Sequence, residues 1–314
     1  MLMREIVSLA LFLVMVLSVY IKEAQLIARF VFRRLRGIKS PSGFLTKPAI
    51  AVHVAALAGI ACILYGILIE PKWLEVRKVD LNSGKLHGAC LRIVQISDLH
   101  SEPLARTEDR ISGIVNSFKP DIIVFTGDTV NTPAAIPLFK KTLSGLKAGI
   151  GKFAVTGNFD YWYLRGYDLF GGTGFRVLRN DTVKLSKGPD TFYISGLGFE
   201  KGNMWRSALG RVPPGYYSIF LYHKPDLIED IKGCNADLYL CGHTHGGQIA
   251  LPVYGAVITF GRYGKRYEAG EYKVGDTVLY VNRGIGLEGK APIKARFCAR
   301  PEITVFDIRP EAGR

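Results

Sequence analysis

The 314-residue chain is long enough for one large domain or two small ones and can bury a sizeable core without disulfide staples. Forty-one Lys and Arg against 27 Asp and Glu leave a net charge of +14, of which +5 falls in residues 1–70, and that excess suits an anionic partner such as a phosphate substrate or an anionic lipid surface. No basic run is interleaved with aromatics in the manner of a nucleic-acid groove, so a nucleic-acid polymer is not an expected partner.

Ile6–Ile21 is a 16-residue run without a charge. It is short for a span and reads as a tilted crossing, an interfacial helix or the apolar region of a signal peptide. No small-residue cleavage site follows it, so it is expected to stay in the mature chain. Ala49–Ile69 is uncharged over 21 residues, which matches the ~20 residues a helix needs to cross the hydrocarbon layer. Residues 1–70 are therefore expected to anchor the chain in the cell (inner) membrane, with a second domain over 71–314. His53, near the start of the longer run, reads as a membrane-surface residue. Residues 22–47 carry Lys22, Arg29, Arg33, Arg34, Arg36, Lys39 and Lys47 against Glu23. Short basic loops stay in the cytoplasm, which puts residues 71–314 on the other side. Lys72, Arg77 and Lys78, just past the second run, weaken that asymmetry.

From Trp73 the texture changes. Apolar strands are expected at 91–97, 121–127 and 152–158, with helices over 108–118, capped by Thr107, and over 136–146. Further strands follow at 191–199, 216–223, 236–243, 277–284 and 302–308. Early alternation of strand and helix followed by strands alone describes a layered α/β domain. Cys62, Cys90, Cys234, Cys241 and Cys298 are odd in number and irregular in spacing, and read as buried free thiols.

Several of these strands end in a polar residue of metal-binding type. Asp98 and His100 form an Asp-x-His, whose side chains would share a face if the strand continued through them. Gly127-Asp128 and Gly157-Asn158 are turn dipeptides, His223 ends a strand, and Gly242–Gly247 reads Gly-His-Thr-His-Gly-Gly with His243 and His245. Each alone has an ordinary reading: a capping Asp, a turn, a satisfied strand-end histidine. Together they hold four of the six histidines, and loops past the strand ends of an α/β sheet converge on one crevice.

The ordered series D-x-H, G-D, G-N, H and G-H-x-H resembles the calcineurin-like metallophosphoesterase superfamily. The likeness runs over roughly residues 91–308 and takes in "LYHKPD", "CGHTHGGQ", "NRGIG" and "PEITVFDI". It is nearest the membrane-anchored bacterial branch, which includes phosphodiesterases and an enzyme of lipid A synthesis that splits UDP-2,3-diacylglucosamine. The resemblance implies a four-layer α/β/β/α sandwich, preceded here by the membrane helices, and two divalent ions. Asp98, His100 and His245 would bind one, Asn158, His223 and His243 the other, and Asp128 would bridge them. Asp128, Asn158 and His243 would thus stand at the catalytic centre. Imidazole and carboxylate without thiolate suit Mn, Fe or Zn. Cys241, on the strand interior, reads as packing.

Phe159 departs from the family pattern. The turn there usually reads Gly-Asn-His-Asp or Gly-Asn-His-Glu, and the histidine is thought to protonate the leaving group. A phenyl ring cannot donate a proton. Three explanations stand: a substrate such as a phosphoanhydride whose leaving group needs no acid, another donor such as Tyr161, Tyr163 or Arg165, or a phosphate- or lipid-binding protein that does not turn over. "YWYLRGYDLFGGTGF" (161–175) holds six aromatics and four glycines. It reads either as a local cluster covering the sheet or as an apolar lid, with Phe159, Tyr161 and Arg165 against the substrate. Either way an apolar surface beside the centre points to an amphiphilic phosphorylated substrate.

Overall fold

The computed structural model describes residues 3–38, 43–88, 90–291 and 294–311, so Lys39 of the basic segment lies outside it. The chain opens with two helices, α1 (Met3–Leu35) and α2 (Lys47–Leu64), the second extended by a wider turn over Tyr65–Ile69. Both are long and apolar enough to cross a membrane, and little of either is buried. The run ending at Ile21 is thus the first half of a longer helix. α1 and α2 form an antiparallel hairpin: the Tyr20 hydroxyl donates to Ala56 O at 3.3 Å, and Glu23 meets His53 Nδ1 at 2.7 Å.

The hairpin returns the chain to where it began. The Glu5 carboxylate accepts from Thr259 N at 3.1 Å and Thr259 Oγ1 at 2.6 Å. Past α2, Glu70 accepts from Cys298 N at 3.0 Å and Ala299 N at 2.6 Å, while Gly66 O accepts from Arg296 N at 2.9 Å. Both domain-side ends of the hairpin are therefore pinned to loops of the folded domain.

That domain holds two six-stranded sheets. The first runs β1 (Glu75–Ser83), β14 (Glu302–Pro310), β2 (Leu91–Ile96), β3 (Ile122–Phe125), β4 (Gly151–Ala154) and β5 (Arg176–Val177). The second runs β12 (Gly270–Val274), β13 (Thr277–Val281), β9 (Leu238–Cys241), β8 (Tyr217–Leu221), β7 (Asp190–Leu197) and β6 (Asn180–Lys187). β2, β3 and β4 are parallel, as are β7, β8, β9 and β13. A short pair, β10 (Ala250–Leu251) and β11 (Gly255–Ala256), lies apart.

Alternation along the strands makes the layers. Val94, Ile123 and Phe125 pack outward against Ile111 and Val115 of α3 (Glu108–Ser117) and Phe139 and Leu143 of α4 (Ile136–Ser144). Their neighbours Ile93, Ile122 and Val124 face inward onto Ile194, Ile219 and Leu238. The far side of the second sheet, with Phe220 and Tyr239, is covered by Trp205 and Leu209 of α6 (Trp205–Leu209) and by Ile228 and Ile231. The result is the expected four-layer α/β/β/α sandwich.

Three local expectations change. The Thr107 hydroxyl does not cap α3; the Glu108 carboxylate turns back instead and accepts from Arg106 N at 2.7 Å and Thr107 N at 2.9 Å. All five cysteines are free, but only Cys241 is buried, and Cys62 and Cys298 are exposed. The segment 161–175 divides: Leu164, Leu169, Phe170 and Phe175 join the core under α4, while Trp162, Tyr163 and Tyr167 stay exposed.

Candidate metal centre

The C-terminal ends of β2, β3 and β4 meet those of β8 and β9. Gln95 Nε2 on β2 donates to Cys241 O on β9 at 2.9 Å, and Gly242 N donates to His223 O at 2.9 Å. Asp98 and His100 lie past the end of β2, Asp128 past β3, His223 past β8, and His243 and His245 past β9. Asn158 opens α5 (Asn158–Tyr163) directly after β4.

The side chains of Asp98 and His100 converge for a different reason from shared strand alternation. Asp98, His100, Asp128, His243 and His245 have φ of 48°, 39°, 57°, 73° and 53°, in the left-handed region that non-glycine residues rarely occupy. Each strand stops, and the left-handed residue turns its side chain back over the sheet ends. Such strain collects at functional sites because the surrounding structure over-determines it. Two glycines permit the crowding. A Cβ on Gly157 would fall on the Asp128 carboxylate, and one on Gly242 would fall on the Asp98 and Ser97 oxygens.

All seven side chains lie in one cluster. Asp128 Oδ2 is 3.5 Å from His100 Nε2 and 3.3 Å from His223 Nε2, which is 3.0 Å from Asn158 Oδ1. Asp98 Oδ1 is 3.4 Å from His245 Nε2, and the Asp98 carboxylate accepts from His243 N at 3.1 Å. The His223 and His243 rings are 5.1 Å apart, and those of His100 and His245 5.0 Å. Asp98, His100 and His245 form one group able to hold a cation; Asp98, Asp128 and His223 form another.

Surrounding groups fix the rings. His223 Nδ1 donates to Thr126 O at 2.7 Å, and His100 Nδ1 meets Asn131 Oδ1 at 2.8 Å, so both Nε2 atoms face the cluster. His245 differs: Arg296 Nη2 lies 3.3 Å from its Nδ1. Arg296 is fully buried with its guanidinium among the carbonyls of Arg283, Gly286 and Ala299, and burial pushes its pKa down to about 9. Asp160 ties the loops together. Its carboxylate accepts from Asp128 N at 3.0 Å, Thr129 N at 2.9 Å, Thr129 Oγ1 at 2.7 Å and Gly157 N at 2.8 Å. Asn131, Ser97, Thr126 and Arg296 are supporting residues that sequence reasoning did not find. Asn131, three residues past Asp128 in "GDTVN", was within reach of a motif reading; Arg296 carries no local signal.

The electrostatics suit cations. Burial alone would raise the Asp128 carboxyl, but the His223 and His100 imidazoles outweigh it and hold it well below the carboxylate range. Burial raises Asp98 to about 6. His223 is desolvated, yet Asp128 and Asp98 lift it to about 9. Burial drives His243 and His245 well below the usual imidazole value. His100 Nε2 and His243 Nε2 are buried with no hydrogen-bond partner. Buried ring nitrogens without a partner, in a cluster that holds two carboxylates, are what a divalent cation satisfies, so the residues fit the implied ions. Cys241 turns away, its Sγ 3.5 Å from Tyr280 O.

The three expected substrate contacts separate. Phe159 is 3% exposed, its ring stacked edge-on against His100 and 5.0 Å from that of Tyr163. The Arg165 guanidinium lies over the Tyr161 ring at 4.9 Å, and both line a cleft of about 350 Å³ with Thr156, Arg179 and Lys201.

Buried imidazoles and carboxylates at the strand ends of a four-layer sandwich define a metal-dependent phosphoesterase class. Residues 91–247 match the calcineurin-like phosphoesterase family, and the chain belongs to it as a hydrolase of phosphoric esters or anhydrides. It is 38% identical over 265 residues to the uncharacterized metallophosphoesterase YkuE of Bacillus subtilis, covering 78% of this chain and 89% of that one. It is 31% identical over 309 residues to the UDP-2,3-diacylglucosamine pyrophosphatase LpxG of Chlamydia trachomatis, covering 76% and 90%. It is 30% identical over 275 residues to the phosphodiesterase YaeI of Escherichia coli, covering 83% and 96%.

Proposed function

We propose that the chain is a membrane-anchored hydrolase that uses two divalent ions to cleave a phosphoanhydride or phosphoester in a lipid- or nucleotide-linked substrate such as UDP-2,3-diacylglucosamine. The observation that carries this reading is the pair of buried groups able to hold a cation, Asp98 with His100 and His245 and Asp98 with Asp128 and His223, in a cluster where His243 Nε2 is buried without a hydrogen-bond partner. Asp98, His100 and His245 would hold one ion and Asn158, His223 and His243 the other, with Asp128 available to both. Bound there, Mn, Fe or Zn supplies charge to stabilise the phosphoryl oxygens and to acidify a water. The protein keeps the imidazoles oriented through Thr126 and Asn131, and Asp160 holds the Asp128 and Asn158 loops in register.

The name of the LpxG relative and the phenyl ring at Phe159 both favour a stable leaving group. Similarity to YaeI favours a second reading, a membrane-anchored phosphodiesterase of broad specificity. Residues 1–70 act as the anchor, and the described parts of the basic segment, 22–38 and 43–47, sit toward the hairpin end opposite the domain, which favours a non-cytoplasmic domain. A UDP-linked lipid precursor would be met on the cytoplasmic face, so sidedness separates the two substrates.

The test is Mn²⁺-dependent turnover by the full chain in nanodiscs, of bis-p-nitrophenyl phosphate and of a UDP-linked diacylated sugar, against Asp128→Ala. Loss of both activities in the variant supports the centre. Absence of turnover of the activated diester by the wild type makes the chain a non-catalytic phosphate or lipid binder, since a phenolate leaves without an acid. A C-terminal topology reporter then selects between the substrates.

A further inference from the structure

Residues 252–260 lie where α1 leaves the domain. Thr259 is bonded to Glu5, and the Tyr254 hydroxyl meets Ser8. Glu5 immediately precedes the uncharged run that begins at Ile6, so this loop sits level with the start of the apolar helix. It presents Val253, 110% exposed, and Phe260, 59% exposed, with Tyr254 between them also exposed. Val253 has φ of 69° and Phe260 φ of 55°. A β-branched valine in the left-handed region is strained, and glycine or asparagine would sit there at lower cost. An exposed side chain makes no packing return for that strain within the domain. The apolar groups therefore serve a contact outside it.

We propose that this loop is a lipid-contacting surface: Val253 and Phe260 enter the bilayer beside α1 and seat the metal centre against the membrane. The inference deepens the functional reading, on which it rests for the membrane setting. Lipid is the occupant because the patch is continuous with the lipid-facing sides of α1, through Ser8, and because a tyrosine beside an apolar tip, with Lys265 Nζ 4.0 Å from its ring, is the composition of a membrane interface. The surface is also close to the candidate centre, since Val257 N donates to Ile249 O at 3.1 Å and Gly247, two residues past His245, lies against the Ile258 carbonyl. A phosphate carried by a lipid would thus arrive at the depth of the cluster.

Tryptophan placed at 253 in the full chain, reconstituted in nanodiscs with acyl chains brominated or not, reads this directly. The added emission of Val253→Trp, over that of the wild type, is expected to shift to the blue and to fall about twofold with brominated chains, as for a side chain ~5–10 Å into the headgroup–acyl boundary. Phe260→Trp should behave alike and covers failure of the first variant to fold. Lys184→Trp, on the exposed edge strand β6, should be unaffected. Ile60→Trp, on the open face of α2, should be quenched most. Emission from positions 253 and 260 that matches position 184 overturns the proposal. So does a blue shift that depends on protein concentration and not on bromine, which assigns the patch to a second copy. If position 60 is also unquenched, the hairpin is not in lipid and the proposal falls with it. Turnover of the water-soluble diester by the same preparation reports on the hydrolase reading independently.

Discussion

Phe159 stands edge-on to His100, ring centroids 4.7 Å apart at 87°, so the residue that replaces the family's acid also walls in a candidate ligand. Its backbone takes part as well, for Phe159 N donates to Asp128 Oδ1 at 2.8 Å. The phenyl ring packs against the His100 imidazole and supplies no proton. Phe159→His is expected to speed cleavage of alkyl phosphodiesters, up to the ~10²–10⁴-fold that general-acid help provides, and to leave pyrophosphate cleavage nearly unchanged. Parallel rates on the two substrate types are the measurement, and equal gains on both would contradict the leaving-group account. Phe159→Ala should instead lose about 3–5 kcal/mol of stability by denaturant unfolding.

Asp160 makes the second prediction. Its four accepted hydrogen bonds come from the loops after β3 and β4, and all are buried. Removing the carboxylate leaves several buried donors unpaired, at about 1–3 kcal/mol each. Asp160→Ala is therefore expected to lower both the unfolding free energy and the Mn²⁺ affinity measured by titration calorimetry. Unchanged affinity would show that the Asp128 loop holds its shape without it.

The protonation state of His223 sets a pH dependence. Lifted to about 9 by Asp128, the metal-free imidazole is charged at neutral pH. That proton must leave before a cation binds, so affinity should rise with pH toward 9, and binding at pH 7 should release protons. Stability runs the other way. A pKa raised in the folded state stabilises fully below the ordinary value of 6.5 and fades as pH climbs through about 9. The metal-free melting temperature should fall over that window and the metal-loaded one should not. Calorimetry in buffers of different ionisation heat measures the proton count, and a count of zero at pH 7 would refute the assignment.

The residues that sequence revealed and those it hid divide along physical lines. The eight strands legible as apolar runs are β2, β3, β4, β7, β8, β9, β13 and β14, the interior strands of the two sheets. Of the six missed, β1, β5, β6 and β12 are the edges of these sheets, and β10 and β11 are the short separate pair. An edge strand buries little and carries charges such as Arg77, Lys78 and Lys184, so its pattern is weak. The cluster was legible because its members follow interior strands in chain order. Its support was not: Arg296 reaches His245 from a segment 51 residues away, and no local pattern encodes that contact. The left-handed backbone at Asp98 and His100 was hidden because "SDLH" gives no glycine to announce it.

Glu70 joins the second apolar helix to the metal-binding cluster. Its carboxylate holds the amides of Cys298 and Ala299, and Ala299 O in turn accepts from Arg296 Nη1 at 2.7 Å, while Arg296 Nη2 faces His245. Gly66 of the same segment accepts from Arg296 N, so the end of the second apolar helix fixes this arginine from two directions. A buried guanidinium held mainly by carbonyls depends on their placement, and Asp98 and Glu70 offset its desolvation only in part. Glu70→Ala should release the Cys298–Ala299 turn, cost about 1–3 kcal/mol, and weaken metal binding on the His245 side more than on the His223 side. Under stepwise Mn²⁺ titration followed by paramagnetic resonance, one of two binding steps should move to higher concentration while the other keeps its place. If both steps stay where they are although the melting temperature falls, the contact is structural alone and the anchor does not act on the centre through this arginine.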